Sequence, residues 1–126
     1  MSIERIFLDA EPHVYADVVI VDDKTLYLSG LVSWDPVTEQ IVDGDIATQT
    51  KYCMLQLKDL LEKNGSDMDH VVRVDVMLND FSERDEMNAE YLKHFKQEHM
   101  PARVCYGVNG LADDLKIEIM AIAVKK

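Results

Sequence analysis

Two short segments near the end of the chain carry residue types that could do chemistry. The segment PARVCYGV (residues 101–108) places Arg103 two residues before Cys105, and the segment KIEIMAIAV (116–124) holds one acidic residue, Glu118. A guanidinium partly removed from water binds a carboxylate through two parallel hydrogen bonds, and a nearby glutamate can orient or deprotonate a water molecule. These residues predict a site in which Arg103 holds an anionic ligand and Glu118 acts on water.

Both segments have the apolar pattern of a strand, and the simplest pairing joins them as a hairpin. In that hairpin Arg103 and Glu118 are diagonal neighbours on one face, with Cβ atoms about 7–8 Å apart, while Val104 and Tyr106 face the helices. The spacing suits a small molecule held between the two head groups, but also a structural ion pair at a subunit interface. Cys105 is equally open, since most strand cysteines are small buried hydrophobic residues, although a neighbouring arginine favours the thiolate.

The composition argues against several classes of partner. The chain has 126 residues, the size of a single domain spanning 1–126, and its 13 basic and 24 acidic residues give a net charge of −11. This charge repels phosphate backbones and anionic lipid surfaces at long range, so we expect neither nucleic acid nor a membrane as a partner. Because charges interrupt the first segment and no apolar run approaches the roughly 18 residues of a membrane span, we expect a cytoplasmic protein.

The residue types that bind metals and cofactors have no suitable spacing. Cys53 and Cys105 are the only cysteines and lie far apart, and the four histidines include no pair at positions i and i+4. The sequence also lacks a phosphate-binding loop. We therefore expect no metal site and no cofactor.

Apolar periodicity predicts six strands and two helices. The predicted strands are 3–8, 17–21, 26–31, 71–78, 103–108 and 115–124, and the predicted helices are 45–64 and 82–99. This order indicates an α+β domain, a six-stranded and mostly antiparallel sheet with both helices on one face. The second and third strands are apolar on both faces, so we expect another subunit to cover the face that the helices leave open.

Several segments resemble the RidA/YjgF family of enamine and imine deaminases. They are PARVCYGV, KIEIMAIAV, GDIATQT (44–50), LYLSG (26–30) and MNAEYLKHF (87–95), and the resemblance extends from about Tyr15 to Val124. It implies a chorismate-mutase-like subunit assembled as a homotrimer, with sites in the clefts between neighbours. It also implies the activity of a 2-iminoalkanoate deaminase, which hydrolyses reactive 2-imino acids to 2-oxo acids and ammonia without a cofactor.

The resemblance assigns roles to individual residues. The arginine of P-A-R binds the substrate carboxylate in the active branch of the family, and the first glutamate of I-E-I orients the attacking water. These positions correspond to Arg103 and Glu118 as catalytic residues. The matched substrate-binding positions are Tyr15, Ser29, Gly30, Leu31, Asn88 and Cys105.

Two segments depart from the family pattern. The segment HVYAD (13–17) replaces the usual G-P-Y-S-Q around Tyr15, while Leu31 replaces a glutamine and the bulky Trp34 follows. We expect these changes to alter the shape and polarity of the pocket, which leaves the preferred imine open. Two other functions also remain open: a non-enzymatic trimer that binds small carboxylates or has a regulatory or chaperone role, and an endoribonuclease, which the net charge disfavours.

Overall fold

A computed structural model describes all of residues 1–126. The strands are β1 (Ile3–Ile6), β2 (Val18–Val21), β3 (Thr25–Leu31), β4 (Trp34–Asp35), β5 (Gln40–Ile41), β6 (Val71–Leu78), β7 (Ala102–Gly107) and β8 (Ile117–Val124), and the α-helices are α1 (Ile46–Lys63) and α2 (Arg84–Tyr91). Six strands form one sheet in the order β1-β2-β3-β8-β6-β7, and β4 and β5 form a separate hairpin. The predicted α+β fold class is confirmed.

The last two strands of the sheet are not neighbours. β7 pairs in parallel with β6, so that Arg103 lies opposite Val74, and β8 pairs antiparallel with the other edge of β6. The predicted hairpin is therefore wrong. The physical reason lies in the connections: α2 and its following turns form a crossover long enough to return the chain parallel to β6, and the loop from Val108 to Lys116 then carries it across the end of β6.

The second helical segment is shorter than its predicted range of 82–99. α2 ends at Tyr91, short 3₁₀ turns follow, and Phe95 has an extended backbone with φ −128° and ψ 146°. This break turns the Phe95 ring into the core, where its centroid lies 5.0 Å from that of Tyr91. Packing of one large apolar ring thus ends the regular helix earlier than its periodicity suggests.

The core lies between the helices and one face of the sheet. Helix α1 begins at the cap Asp45, whose side chain accepts a hydrogen bond from the Thr48 backbone N–H at 2.8 Å. It ends before Gly65, which has the positive φ of +82° that glycine adopts without strain. The buried stripe of α1, including Leu57, packs with alternate residues of the strands into one cluster of 22 buried residues.

The opposite face of the sheet is apolar and uncovered in the single chain. Val104 and Tyr106, which were predicted to face the helices, lie on this face instead because β7 pairs with β6. The exposed large side chains there include Tyr27, Val104, Tyr106 and Met120, each more than 40% accessible to solvent. A contiguous apolar face of this kind is typical of a protein interface, and the homotrimer stays a prediction. Neither helix is long and apolar enough to cross a lipid bilayer.

Replacing Leu57 by alanine tests the position of the core. Leu57 is fully buried, so the substitution should lower the free energy of unfolding by roughly 2–5 kcal/mol. Leu92 is 48% exposed, and Leu92→Ala should have a much smaller effect. Chemical denaturation at one fixed protein concentration measures both variants, and equal losses would contradict the assignment.

Candidate active site

Arg103 lies on the edge strand β7, on the side of the sheet that the helices cover. Its Nη1 group donates a hydrogen bond to Asn88 Oδ1 at 2.7 Å, and its Cζ atom lies 4.8 Å from the centre of the Tyr91 ring. Both partners are uncharged at neutral pH and belong to α2. Arg103 forms no ion pair within the chain, although the chain has 24 acidic residues. The guanidinium therefore keeps its charge and most of its hydrogen-bond donors available to a ligand.

A pocket of about 290 Å³ opens beside this guanidinium. It is lined by Asn88, Tyr91, Leu92, Met100, Pro101 and Arg103. The wall is largely apolar, and Arg103 is its only charged side chain. The pocket is therefore suited to a small anionic molecule with an apolar body.

Cys105 lies two residues beyond Arg103 on the same face of β7 and is partly buried. Burial raises the pKa of its thiol, and the nearby Arg103 and Arg84 guanidinium groups offset this rise only in part. The thiol is therefore protonated at neutral pH. This state suits a side chain that lines a pocket and does not suit a nucleophile, which would have to be a thiolate.

Glu118 lies on β8 and faces the uncovered side of the sheet. Its carboxylate is half-buried and makes no hydrogen bond or ion pair within the chain. It lies directly against Gly30: a Cβ atom built on Gly30 would be 2.9 Å from Glu118 Cδ and closer still to Oε2. Gly30 belongs to a β-bulge, because Leu28 and Leu31 are three residues apart on β3 while their partners on β8, Ala121 and Ile119, are only two residues apart. The glycine thus leaves the space that the Glu118 carboxylate fills.

A second pocket, of about 420 Å³, extends from the same bulge. Its lining includes Tyr15, Ser29, Gly30, Leu31 and Trp34. The Ser29 hydroxyl donates a hydrogen bond to the Ala16 carbonyl oxygen at 2.6 Å, which ties the loop carrying Tyr15 to β3. The Leu31 side chain is only 3% exposed and packs mainly in the core, so it contributes only a small apolar part of the pocket lining.

Within one chain, Arg103 and Glu118 lie on opposite faces of the sheet. Met77 of β6 pairs with Glu118 on one side and with Tyr106 on the other, and Arg103 is three residues from Tyr106. Strand spacing places the two Cα atoms about 10 Å apart across the sheet and about 10 Å along it. The predicted contact on one face is therefore wrong. Instead Asn88 and Cys105 lie near Arg103, and Gly30 lies against Glu118. The remaining candidates, Tyr15, Ser29 and Leu31, line the second pocket, whose lining does not include Glu118.

Tyr91 is a neighbour of Arg103 that was not among the predicted site residues. It lies three residues after Asn88 on α2, and residues at this spacing share one face of a helix. Once Asn88 is a candidate, this spacing is the signal that could have identified Tyr91. The sequence alone does not reveal which helix face β7 approaches.

Comparison with known proteins identifies the family of this chain. Residues 9–125 match the model of a protein family described as Endoribonuclease L-PSP. The chain is 34% identical over 111 residues to a Homo sapiens protein named 2-iminobutanoate/2-iminopropanoate deaminase, which covers 88% of this chain and 80% of that protein. It is 36% identical to a RutC family protein of Pyrococcus abyssi, with both chains fully covered.

Solved structures with this fold come from several organisms. The crystal structure of yeast Mmf1 has a TM-score of 0.87 at 28% identity and covers 99% of this chain and all of its own. The structure of RidA from an Antarctic Psychrobacter bacterium has a TM-score of 0.80 at 27% identity and covers 91% of each chain. With a family match across almost its whole length and relatives above 30% identity, this chain belongs to the RidA/YjgF family.

Proposed function

We propose that the protein hydrolyses 2-imino acids to 2-oxo acids and ammonia. The observation that carries the proposal is the state of Arg103, a guanidinium held by one neutral acceptor and one aromatic ring, without a carboxylate partner in an acidic chain. Such a group is prepared to bind a carboxylate ligand. The relatives named 2-iminobutanoate/2-iminopropanoate deaminase support the choice of a 2-imino acid.

A site that uses both Arg103 and Glu118 must be built from two subunits. The two side chains point to opposite faces of one sheet, so no ligand of metabolite size contacts both in the same chain. The exposed apolar face that carries Glu118 supports its burial against a neighbour. In the proposed homotrimer, each cleft takes the Arg103 group from one subunit and the Glu118 group from the next, and the cleft lies in the cytoplasm with no membrane or nucleic acid involved.

The proposed chemistry follows from these two groups. Arg103 holds the substrate carboxylate through two parallel N–H donors, which fixes the position of the adjacent C2 atom. The Glu118 carboxylate accepts a hydrogen bond from a water molecule and orients its oxygen toward C2. Water adds across the C=N bond to give a carbinolamine, with one of its protons on the nitrogen. The hydroxyl proton then moves to the nitrogen as the C–N bond breaks, which releases ammonia and leaves the 2-oxo acid. These steps need no covalent intermediate and no metal.

A binding protein without catalysis is the main alternative. It would use the same Arg103 group to hold a small carboxylate such as 2-oxobutanoate, but imine hydrolysis would then be no faster than in buffer. An assay that generates 2-iminobutanoate with a threonine dehydratase and traps the remaining imine with semicarbazide separates the two. Faster loss of the imine with the protein present supports the deaminase, whereas binding without acceleration supports the alternative.

The family description Endoribonuclease L-PSP favours a second enzyme class. Phosphodiester cleavage by histidines requires two of them to act on one bond, and three histidines here contact carboxylates instead. These contacts are His70 to Asp67 at 2.6 Å, His94 to Glu90 at 2.8 Å and His99 to Asp69 at 3.0 Å. Ribonuclease activity that co-purifies with the protein and disappears in a point variant would favour this class over the deaminase.

Arg103→Lys tests the carboxylate clamp. Lysine keeps the positive charge but loses the planar pair of donors, so kcat/KM for 2-iminobutanoate should fall roughly 100-fold or more, and Arg103→Ala should lose at least as much. Arg5→Lys, on the distant strand β1, is the matched control and should retain wild-type activity. The clamp role is wrong if Arg103→Lys keeps wild-type turnover in the coupled assay.

Gly30→Ala tests the position of Glu118. The added methyl group would occupy the space of the Glu118 carboxylate, so the side chain must move away, and kcat should fall about tenfold to 100-fold. The fold should survive because Gly30 does not have a positive φ and only a flexible side chain must move. Gly110→Ala is the control, since nothing lies within 4 Å of its added Cβ. Unchanged kcat in Gly30→Ala, measured with thermal unfolding of both variants, would count against a role for Glu118.

Mixed oligomers test whether the two groups come from different subunits. Arg103→Ala and Glu118→Gln should each be inactive alone. In the proposed homotrimer, every trimer that contains both chains has one intact cleft in three, so mixed trimers from co-expression should have about one third of wild-type activity. The activity of the purified mixed oligomer, isolated through two different affinity tags, provides the measurement. If the oligomer contains both chains and remains inactive, the site does not lie between subunits.

A further inference from the structure

We infer that Tyr91 is a positioning residue, whose ring holds the Arg103 guanidinium in the orientation that a carboxylate ligand requires. The inference rests on the proposed function, because it assumes that Arg103 is the carboxylate clamp. It adds a residue that neither the family resemblance nor the sequence pattern assigned to the site.

Two contacts from neighbouring positions of α2 hold the guanidinium. The Arg103 Cζ atom lies over the Tyr91 ring, 4.8 Å from the ring centre, and Asn88 Oδ1 accepts a hydrogen bond from Nη1 at 2.7 Å. A cation over an aromatic face is attracted by the ring quadrupole, and this attraction does not use any N–H donor. The two contacts therefore hold the guanidinium from two directions, while its remaining donors stay free.

The Tyr91 ring is itself rigid. It is 2% exposed, belongs to the core cluster, and packs against the Phe95 ring at 5.0 Å and an angle of 46°. Arg103, by contrast, is an exposed side chain on an edge strand and would sample many rotamers without a platform. A ligand that had to select one of those rotamers would bind less tightly, so the ring reduces the entropic cost of carboxylate binding.

The ring, and not the hydroxyl group, accounts for this role. The Tyr91 hydroxyl oxygen is buried and has no hydrogen-bond partner in the chain. Burial raises the pKa of this hydroxyl to about 12, so it stays neutral at physiological pH and adds no charge beside Arg103. Phenylalanine should therefore replace Tyr91 without loss, since it keeps the aromatic face and removes an unpaired buried polar group.

Binding of 2-oxobutanoate, measured by isothermal titration calorimetry, tests the inference without depending on catalysis. Tyr91→Leu should raise the dissociation constant roughly tenfold, whereas Tyr91→Phe should stay within about twofold of wild type. In the imine assay the same variants should change KM more than kcat, because the lost interaction is present with both bound substrate and transition state. If the Tyr91→Leu protein fails to fold, Tyr91→Met takes its place, because methionine is a flexible apolar side chain without a ring.

The chain provides a matched control. The Arg84 Cζ atom lies 5.3 Å from the centre of the Phe81 ring, which is the same kind of contact away from the pocket. Phe81→Leu should leave 2-oxobutanoate affinity unchanged, and thermal unfolding of every variant separates loss of fold from loss of binding. Wild-type affinity in the folded Tyr91→Leu or Tyr91→Met protein would overturn the inference, as would an equal loss in Tyr91→Phe or Phe81→Leu.

The two proposals can fail separately. If the wild-type protein does not accelerate imine hydrolysis but the binding pattern holds, the deaminase proposal fails and the role of Tyr91 in carboxylate binding stands. If hydrolysis depends on Arg103 but Tyr91→Leu binds 2-oxobutanoate as wild type does, only the role of Tyr91 fails.

Discussion

The parallel pairing of β7 with β6 is the constraint on which the candidate site depends. It inserts one strand between the two chemically important strands and sends their side chains to opposite faces of the sheet. It also places Arg103 under α2, where a ring and an amide hold it. The separate pairing of β8 with β3 sets the Glu118 carboxylate beside Gly30 on an uncovered apolar face. The separation of Arg103 from Glu118 follows from this order of strands, whereas their union in one cleft rests on the proposed homotrimer.

The sequence was sufficient for the fold class and for the ends of the first helix. Asp45 as a cap and Gly65 as a stop are local signals, since each depends on one or two backbone groups next to it in the chain. The six strands of the main sheet were also predicted from local apolar patterns, whereas the two-residue strands β4 and β5 were not. These features need no knowledge of which elements become neighbours, which explains why residue patterns alone predicted them.

The register of the site could not be read in the same way. Alternation along β7 separates Arg103 and Cys105 from Val104 and Tyr106, but it does not say which set faces the helices. That choice depends on the neighbouring strand, and the helix between β6 and β7 was the signal for a parallel neighbour. The residue types of Arg103 and Glu118 made them candidates for chemistry, and their roles stay a prediction. The distance between them depends on the strand order, which the residue types do not reveal.

The neutral environment of Arg103 suits any small carboxylate, which limits what this contact can contribute to catalysis. A substrate and a product that share a carboxylate are stabilised equally by the same guanidinium. This contact alone therefore does not lower the energy barrier between them. Selective stabilisation of the transition state must then come from contacts at the carbon where substrate and product differ, which exchanges nitrogen for oxygen. In the proposed reaction the Glu118 carboxylate, beside Gly30, is the group that acts at this carbon, and Arg103 holds substrate and product alike.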